Sequence, residues 1–220
     1  MHSVGNVPRN HGFYPMIEEL FALKPPLPAA NLEPYYPGWE HEFHNNVAGE
    51  IPEAGSDRDN YFARAQMYGS VLSGGLAGHI YGTGAYCGNT TGEPRKEGER
   101  PYIWEGLNYA AGAQMEHLAE FILSEGDSYR YCNPMRTLLE PYKAEKSPES
   151  GLDGWSFMLL SPEKDIAFLY FENEAEIPVV SELNPESEYS ILWFDPVSGD
   201  WLNEKQSLNT DNDGKLFPGS

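Results

Sequence analysis

The sequence predicts an α/β region to about residue 126 and an all-β region after it. Two observations predict the first region: short apolar runs typical of buried strands, and after each run a segment with apolar residues at helical spacing. The second region is predicted by short β-rich runs that follow one another between turn residues. We therefore divide the chain into an α/β unit at residues 1–128 and an antiparallel, immunoglobulin-like β-sandwich at residues 129–220.

The first strand–helix pair lies in residues 29–72. Residues 29–32 form a short apolar run that Pro34 ends, which is consistent with a buried strand. Ser56 and Asp57 are helix caps, and Gly74 lies where the helix should end. Between them the apolar residues recur at helical spacing, namely Tyr61, Phe62, Ala65, Tyr68, Val71 and Leu72.

The second pair lies in residues 77–124. A short strand is predicted over residues 77–81, and a glycine-rich loop follows it. The second helix is predicted over residues 113–124, with Gly126 as its stop. Strands that alternate with helices in this way predict a parallel sheet.

The all-β region contains β-rich runs at residues 155–160, 165–171, 177–180 and 189–194. Residues 195–199 read Asp-Pro-Val-Ser-Gly, which predicts a hairpin turn that leads to Trp201. The chain ends at residues 217–220, with little left to form a last strand, so none is expected.

The charge of the chain limits its partners. Lys and Arg total 14 against 34 for Asp and Glu, so the formal net charge is −20. An acidic surface repels phosphate backbones and anionic lipid headgroups, so nucleic-acid binding is not predicted. No apolar run approaches the roughly 20 residues that cross a bilayer, so membrane insertion is not predicted either.

Neither a metal nor a cofactor is predicted. Cys87 and Cys132 have no zinc-site spacing, and the His41 and His44 pair lacks the spacing of a zinc-protease helix. The segment 209–214 resembles the start of a calcium loop, but its twelfth position is Ser220 instead of Glu. A hairpin turn is the better interpretation of that segment.

The segment Asn31-Leu32-Glu33-Pro34-Tyr35-Tyr36 contains the main candidate for catalysis. A carboxylate at the carboxyl end of a barrel strand lies on the face where barrel active sites are built. Glycoside hydrolysis uses two such carboxylates, about 5–5.5 Å apart in retaining enzymes. By its local pattern alone, Glu33 is more often a surface or turn carboxylate.

Aromatic rings near Glu33 suit the apolar faces of sugars, while their polar atoms suit sugar hydroxyls. The candidates are Tyr35, Tyr36, Trp39, Tyr86 and Trp104. Without further information such rings are more often core residues than sugar platforms.

Two longer motifs resemble the apiosidase-like glycoside hydrolases. Residues 64–68 (Arg-Ala-Gln-Met-Tyr) and 73–82 (Ser-Gly-Gly-Leu-Ala-Gly-His-Ile-Tyr-Gly) resemble the last barrel segment of that family. The stretch around Glu33 is similar to its penultimate strand end, at the matching distance upstream. Residues 189–196 with Gly199-Asp200-Trp201 resemble the family's C-terminal domain, which carries a collagen-binding label.

This resemblance implies the C-terminal portion of a (β/α)₈ TIM barrel, followed by the β-sandwich and acting on an oligo- or polysaccharide from plants. Glu33 would be the nucleophile, and His2, His79, Tyr81 and Trp104 would bind sugar. Packing inside the barrel is the alternative for His79 and Tyr81, and core packing for Trp104.

The resemblance also implies a role for Arg64, which opens the family's helix pattern. Arg64 would form an ion pair beneath the site. A solvated helix arginine is the alternative.

The chain departs from the family pattern in two places. Pro37 stands where the family usually has a second carboxylate. The family's acid/base lies at the end of its fourth strand, which this chain does not contain, so we expect a C-terminal fragment that is inactive alone.

The rival hypothesis is a non-catalytic carbohydrate- or protein-binding module in which the sandwich binds the ligand. A third possibility is a sandwich that shields one side of the barrel.

Overall fold

The computed structural model of the chain describes residues 2–4, 13–38, 50–84, 102–142, 153–202 and 205–219. Its first sheet is parallel and has the order β1-β2-β3, with β1 at His2–Val4, β2 at Ala29–Asn31 and β3 at Gly78–His79. The register pairs Asn31 with both Val4 and His79. The carboxyl ends of the strands therefore meet at one edge, and the predicted parallel sheet is confirmed.

Four α-helices accompany this sheet within the described residues: α1 at Tyr14–Phe21, α2 at Asp57–Leu72, α3 at Ile103–Gly106 and α4 at Ala110–Ile122. The predicted caps of α2 are confirmed: the Ser56 hydroxyl accepts the Asp59 N–H at 3.2 Å, and Gly74 has φ +98° just beyond the end. From residue 59 onwards α2 is buried, because it packs against α4, α1 and both types of sheet.

The later strands form small antiparallel sheets. Their ranges are β4 Asn133–Pro134, β5 Leu139–Glu140, β6 Ser156–Leu160, β7 Ala167–Phe171, β8 Val179–Val180, β9 Glu188–Ile191 and β10 Gln206–Asn209. They pair as β4-β6-β7, β5-β8 and β9-β10. The expectation of no last strand was wrong, since β10 pairs with β9 along its whole length and Leu216 forms a further bridge to Val180.

Both predicted turns of this region are confirmed. The backbone N–H of Asp195 donates to the Asp200 carbonyl at 2.9 Å, and Phe194 bridges Trp201 across the turn. At the second turn the Asp211 N–H donates to the Lys215 carbonyl at 2.9 Å, and the Asp211 carboxylate accepts the Lys215 N–H at 2.8 Å. The Asp211 carboxylate thus stabilises its own turn.

One hydrophobic core joins the α/β part to the antiparallel part. Tyr14 of α1 packs edge-on against Phe157 of β6, with ring centroids 4.8 Å apart. Around this core, Arg136 pairs with Glu18 of α1 at 2.6 Å. Arg58 of α2 is held by Asp153 at 2.6 Å. Buried aromatic contacts of this size dominate core energetics, so the two parts stabilise each other.

No helix within the described residues is long and apolar enough to cross a bilayer.

Candidate active site

The site is built where β2 ends at the sheet edge. Asn31 is almost fully buried, and its amide nitrogen donates to the Ser70 hydroxyl of α2 at 3.1 Å. Its side-chain oxygen accepts the Glu33 N–H at 3.3 Å. A buried amide needs such partners, and here they fix the turn by which the chain leaves the strand. The turn places Glu33 two residues past the strand end, half-buried at the edge.

The Glu33 carboxylate is in contact with Tyr36. The Tyr36 hydroxyl donates to Glu33 Oε1 at 3.2 Å, and the Tyr36 ring is buried beneath it. Gly82 gives the ring its space, because a β-carbon there would lie 3.0 Å from Tyr36 Cε1. A hydroxyl donor in this position orients the carboxylate and satisfies one of its oxygens.

Tyr35 lies in the core, with 2% of its surface exposed. Its ring packs edge-on against Phe62 at 5.5 Å, and its N–H donates to Gln66 Oε1 at 2.7 Å. A ring with so little exposed surface offers no face to a sugar. The buried position of Tyr35 therefore does not fit the predicted sugar contact. Instead, Tyr35 supports the site from behind.

Asp59 of α2 anchors the segment that follows β2, and it was not predicted from the sequence as a site residue. Its carboxylate accepts the Tyr35 hydroxyl at 2.6 Å and the N–H groups of Gly38 and Gly55, each at 2.7 Å. Asp59 is 1% exposed, so this carboxylate is compensated by hydrogen bonds instead of water. An acidic residue in the first turn of a capped helix was a visible signal, and Gly55 is a near neighbour, but Tyr35 and Gly38 are distant in sequence.

His79 ends β3 beside Asn31 in the register. Its Nδ1 is shut off from solvent and has no hydrogen-bond partner among the described residues. Burial lowers the pKa of His79 to about 3, because the imidazolium would lose its hydration. The imidazole is therefore neutral over the physiological range.

Tyr81 lies beyond the end of β3, and its ring packs against the buried cluster around Tyr35 and Ala111. Burial raises the pKa of Tyr81, and the nearby Asp59 adds to the effect. This placement favours the packing alternative that the sequence left open for Tyr81.

Arg64 is 8% exposed, so the alternative of a solvated helix arginine is wrong. Its Nη1 donates to Gln114 Oε1 of α4 at 2.9 Å, and its guanidinium lies 5.5 Å from the centre of the Tyr61 ring. Among the residues that the structure describes, Arg64 has no ion-pair partner. Its hydrogen bond to Gln114 joins α2 to α4.

Trp104 belongs to α3 and is 46% exposed, so core packing is not its role. Its ring stacks on Tyr102 with centroids 4.6 Å apart and planes 6° apart. The stacked pair places aromatic surface at the protein exterior, since Trp104 remains largely exposed.

Three predicted residues lie wholly or partly outside the described residues. His2 is in β1, but its side chain is not described, and neither Trp39 nor Tyr86 is described at all. Within the described ranges, no group of three or more His, Cys, Asp or Glu could hold a metal ion.

Comparisons with known proteins agree on the type of fold. A family model described as "Apiosidase-like, catalytic domain" matches residues 2–127, and no curated protein matches the chain. A solved structure titled "Glycoside hydrolase" is 19% identical with a TM-score of 0.68, covering 96% of this chain and 43% of that one. A glycoside hydrolase family 5 structure from Bacteroides vulgatus is 16% identical with a TM-score of 0.68, covering 96% of this chain and 42% of that one. The chain thus spans less than half the length of either protein, and both share its fold.

Proposed function

The chain belongs to the apiosidase-like catalytic-domain family, and on that premise we propose that it contributes the nucleophile, Glu33, to a retaining glycoside hydrolase that acts on plant-type glycans. The observation that carries the proposal is the position of Glu33: a carboxylate just beyond the carboxyl end of a parallel strand, oriented by the Tyr36 hydroxyl. Active sites of (β/α)₈ barrels are built at this edge.

The reaction proceeds in two steps. A Glu33 oxygen attacks the anomeric carbon and forms a glycosyl ester while the glycosidic C–O bond breaks, and the departing oxygen takes a proton from a general acid. Water then attacks the anomeric carbon and gives its proton to the same acid, now a base, which releases Glu33. In this proposal the acid lies on another strand of the family's barrel.

The remaining site residues have binding roles in this proposal. Trp104 and its stacked partner Tyr102 offer an exposed apolar surface for a sugar ring. His79 is neutral, so it would act on sugar hydroxyls as a hydrogen-bonding group and not as a charge. The sugar-binding role of His2 rests on the family resemblance alone, because His2 begins β1 opposite Ala29, and Val4 is the β1 residue at the strand-end edge.

We also propose that residues 129–220 form the immunoglobulin-like sandwich. Its support is the set of small antiparallel sheets that pack against one another through Leu139, Met158 and Val180. Binding of collagen or glycans by this part is the corresponding functional proposal.

The role of Glu33 can be tested with the native protein that carries these residues. The measurement is its turnover of a plant oligosaccharide. We expect Glu33→Gln to lower kcat by about 1000-fold or more, because an amide cannot form the glycosyl ester. Glu53→Gln removes an exposed carboxylate in the loop before α2 and is the matched control, with turnover near wild type. Near-wild-type turnover in Glu33→Gln, with circular dichroism showing an intact fold, would refute the assignment.

A further inference from the structure

A concave surface lies between α4 and the end of β9. It is a shallow depression of about 680 Å³ that is open to solvent. Its walls come from both parts of the chain: Glu116, Glu120, Leu123 and Glu125 from α4 and the turn after it, with Leu192 and Trp201 opposite. We call it the α4 groove.

The α4 groove lies apart from Glu33. The N–H of Ala111 donates to the side chain of Asn60, so the start of α4 lies beside the start of α2, near the strand-end edge. Glu120 is nine residues further along α4, about 14 Å at the helical rise per residue. An occupant of the groove therefore would not need to touch the nucleophile.

The groove has a firm wall opposite α4. Phe121 packs against Phe194 at 5.7 Å and against Trp201 at 6.5 Å, which fixes the segment after β9 against the helix. A preformed concavity of this kind needs little reordering to bind a ligand.

The lining combines exposed aliphatic surface with carboxylates. Leu123 is 50% exposed and Leu192 is 52% exposed. No basic side chain lines the groove in the described part of the chain. Glu116 and Glu120 are four residues apart on one helix face, a spacing at which like charges repel and destabilise the helix.

From this lining we propose that the α4 groove docks a cationic amphipathic peptide segment, with aliphatic side chains on Leu123 and Leu192 and Lys or Arg side chains on the glutamates. Charge complementarity selects this occupant, since a cation between Glu116 and Glu120 relieves their repulsion. The formal charge of −20 attracts such a segment over longer distances.

A sugar chain fits the lining less well. Sugar faces prefer flat aromatic rings, and Trp201 is the one aromatic side chain that lines the groove among the described residues. Its ring already packs against Phe194 at 4.8 Å. The rest of the apolar floor is aliphatic, which suits aliphatic peptide side chains better than sugars.

The test measures binding of a fluorescently labelled peptide of alternating Leu and Lys to the chain by anisotropy at low and high salt. We expect saturable binding that weakens with salt, and weaker binding of an alternating Ser and Lys peptide. The double variant Glu116→Lys with Glu120→Lys should lower the affinity for the Leu–Lys peptide by about tenfold or more, because two attractive charges are replaced by repulsive ones.

The matched control is the double variant Glu163→Lys with Asp213→Lys, which changes the net charge equally at two exposed positions away from the groove. It should bind within about twofold of the parent chain. Leu192→Ser, which leaves the charge unchanged, should also weaken binding. Equal weakening by the two double variants, an unaffected Leu192→Ser, or binding of a plant oligosaccharide in the groove in place of the peptide would overturn the proposal.

Discussion

Two segments at the edge of the parallel sheet are held in contrasting ways. The segment after β2, residues 31–38, is mostly buried and is fixed to α2 by hydrogen bonds through Asn31 and Tyr35. The segment before α4, residues 102–109, is largely exposed, with Trp104 stacked on Tyr102 and Leu107 82% exposed. The two meet where the Tyr109 ring covers Gly38.

Under the proposed function, this contrast is a division of labour between positioning the carboxylate and contacting the sugar. A reacting carboxylate must be positioned accurately, and buried polar contacts provide that accuracy. A surface that binds sugar rings needs exposed apolar area, which can lie on a loop with little support. Substitutions in the first segment should therefore reduce stability, whereas those in the second should change affinity.

The largest effect is expected from Asp59→Ala. It leaves the Tyr35 hydroxyl and the N–H groups of Gly38 and Gly55 without their acceptor in a buried place. We expect a loss of about 4 kcal/mol in the free energy of unfolding, measured by urea denaturation. Asp57→Ala, an exposed carboxylate in the same helical turn, should cost only about 0.5 kcal/mol. Similar losses in the two variants would contradict the supporting role of Asp59.

Gly38→Ala tests the point where the segments meet. Gly38 has φ +78°, and an added β-carbon would lie 2.5 Å from Tyr109 Cε2. We expect thermal unfolding to show a loss of about 2–3 kcal/mol, from backbone strain and from displacement of the ring. Gly126→Ala is the control, because Gly126 also has positive φ but no atom within 4 Å, and it should cost about 1 kcal/mol. An equal cost at both positions would mean that the contact with Tyr109 adds nothing.

The pH dependence of stability should reflect His79. Its pKa is about 3 in the folded chain and about 6.5 when unfolded, so between these values the unfolded state binds an extra proton. Stability therefore falls as the pH is lowered through 6.5 towards 3, and little of this loss occurs above pH 7. His79→Gln should reduce the loss between pH 7 and 5 by on the order of 1 kcal/mol in urea titrations at both values. An unchanged slope in the variant would show that His79 titrates normally.

The smallest effect on stability is expected from Trp104→Ala. An exposed ring that stacks on one neighbour contributes about 0.5 kcal/mol, so the unfolding midpoint should barely move. Affinity for oligosaccharide should fall by about tenfold in titration calorimetry, since the sugar loses its stacking partner. Tyr131→Ala, another exposed aromatic residue, should change neither property. A Trp104 variant that unfolds readily and binds oligosaccharide normally would contradict this assignment, because Trp104 would then contribute to stability and not to affinity.

Local signals predicted much of the fold. The capping serine, the helical spacing of apolar residues and the glycine stop located α2 almost to the residue, and the Asp-Pro-Val-Ser-Gly run located a hairpin turn. These features depend on neighbours in sequence, so the sequence alone contains the necessary information.

The missed elements depend on distant contacts. The strand β10 has a weak pattern and exists because it pairs with β9, and α1 was overlooked although Pro15 marks its start. The strand-end position of Glu33 was predicted correctly. The buried support from Asp59 was not, since its donors lie 21 and 24 residues away in Gly38 and Tyr35.

The most direct test of the central claim traps the glycosyl–enzyme ester. A 2-deoxy-2-fluoro glycoside with a dinitrophenolate leaving group needs no general acid for the first step. The fluorine slows both steps, and the good leaving group keeps the first faster than the second, so the ester accumulates. After incubation of the native protein with a panel of such sugars, intact mass and peptide mapping locate the label. The account predicts one sugar per chain, on the peptide that contains Glu33. A label on a different carboxylate, or hydrolysis of the same reagents without any label, would contradict it.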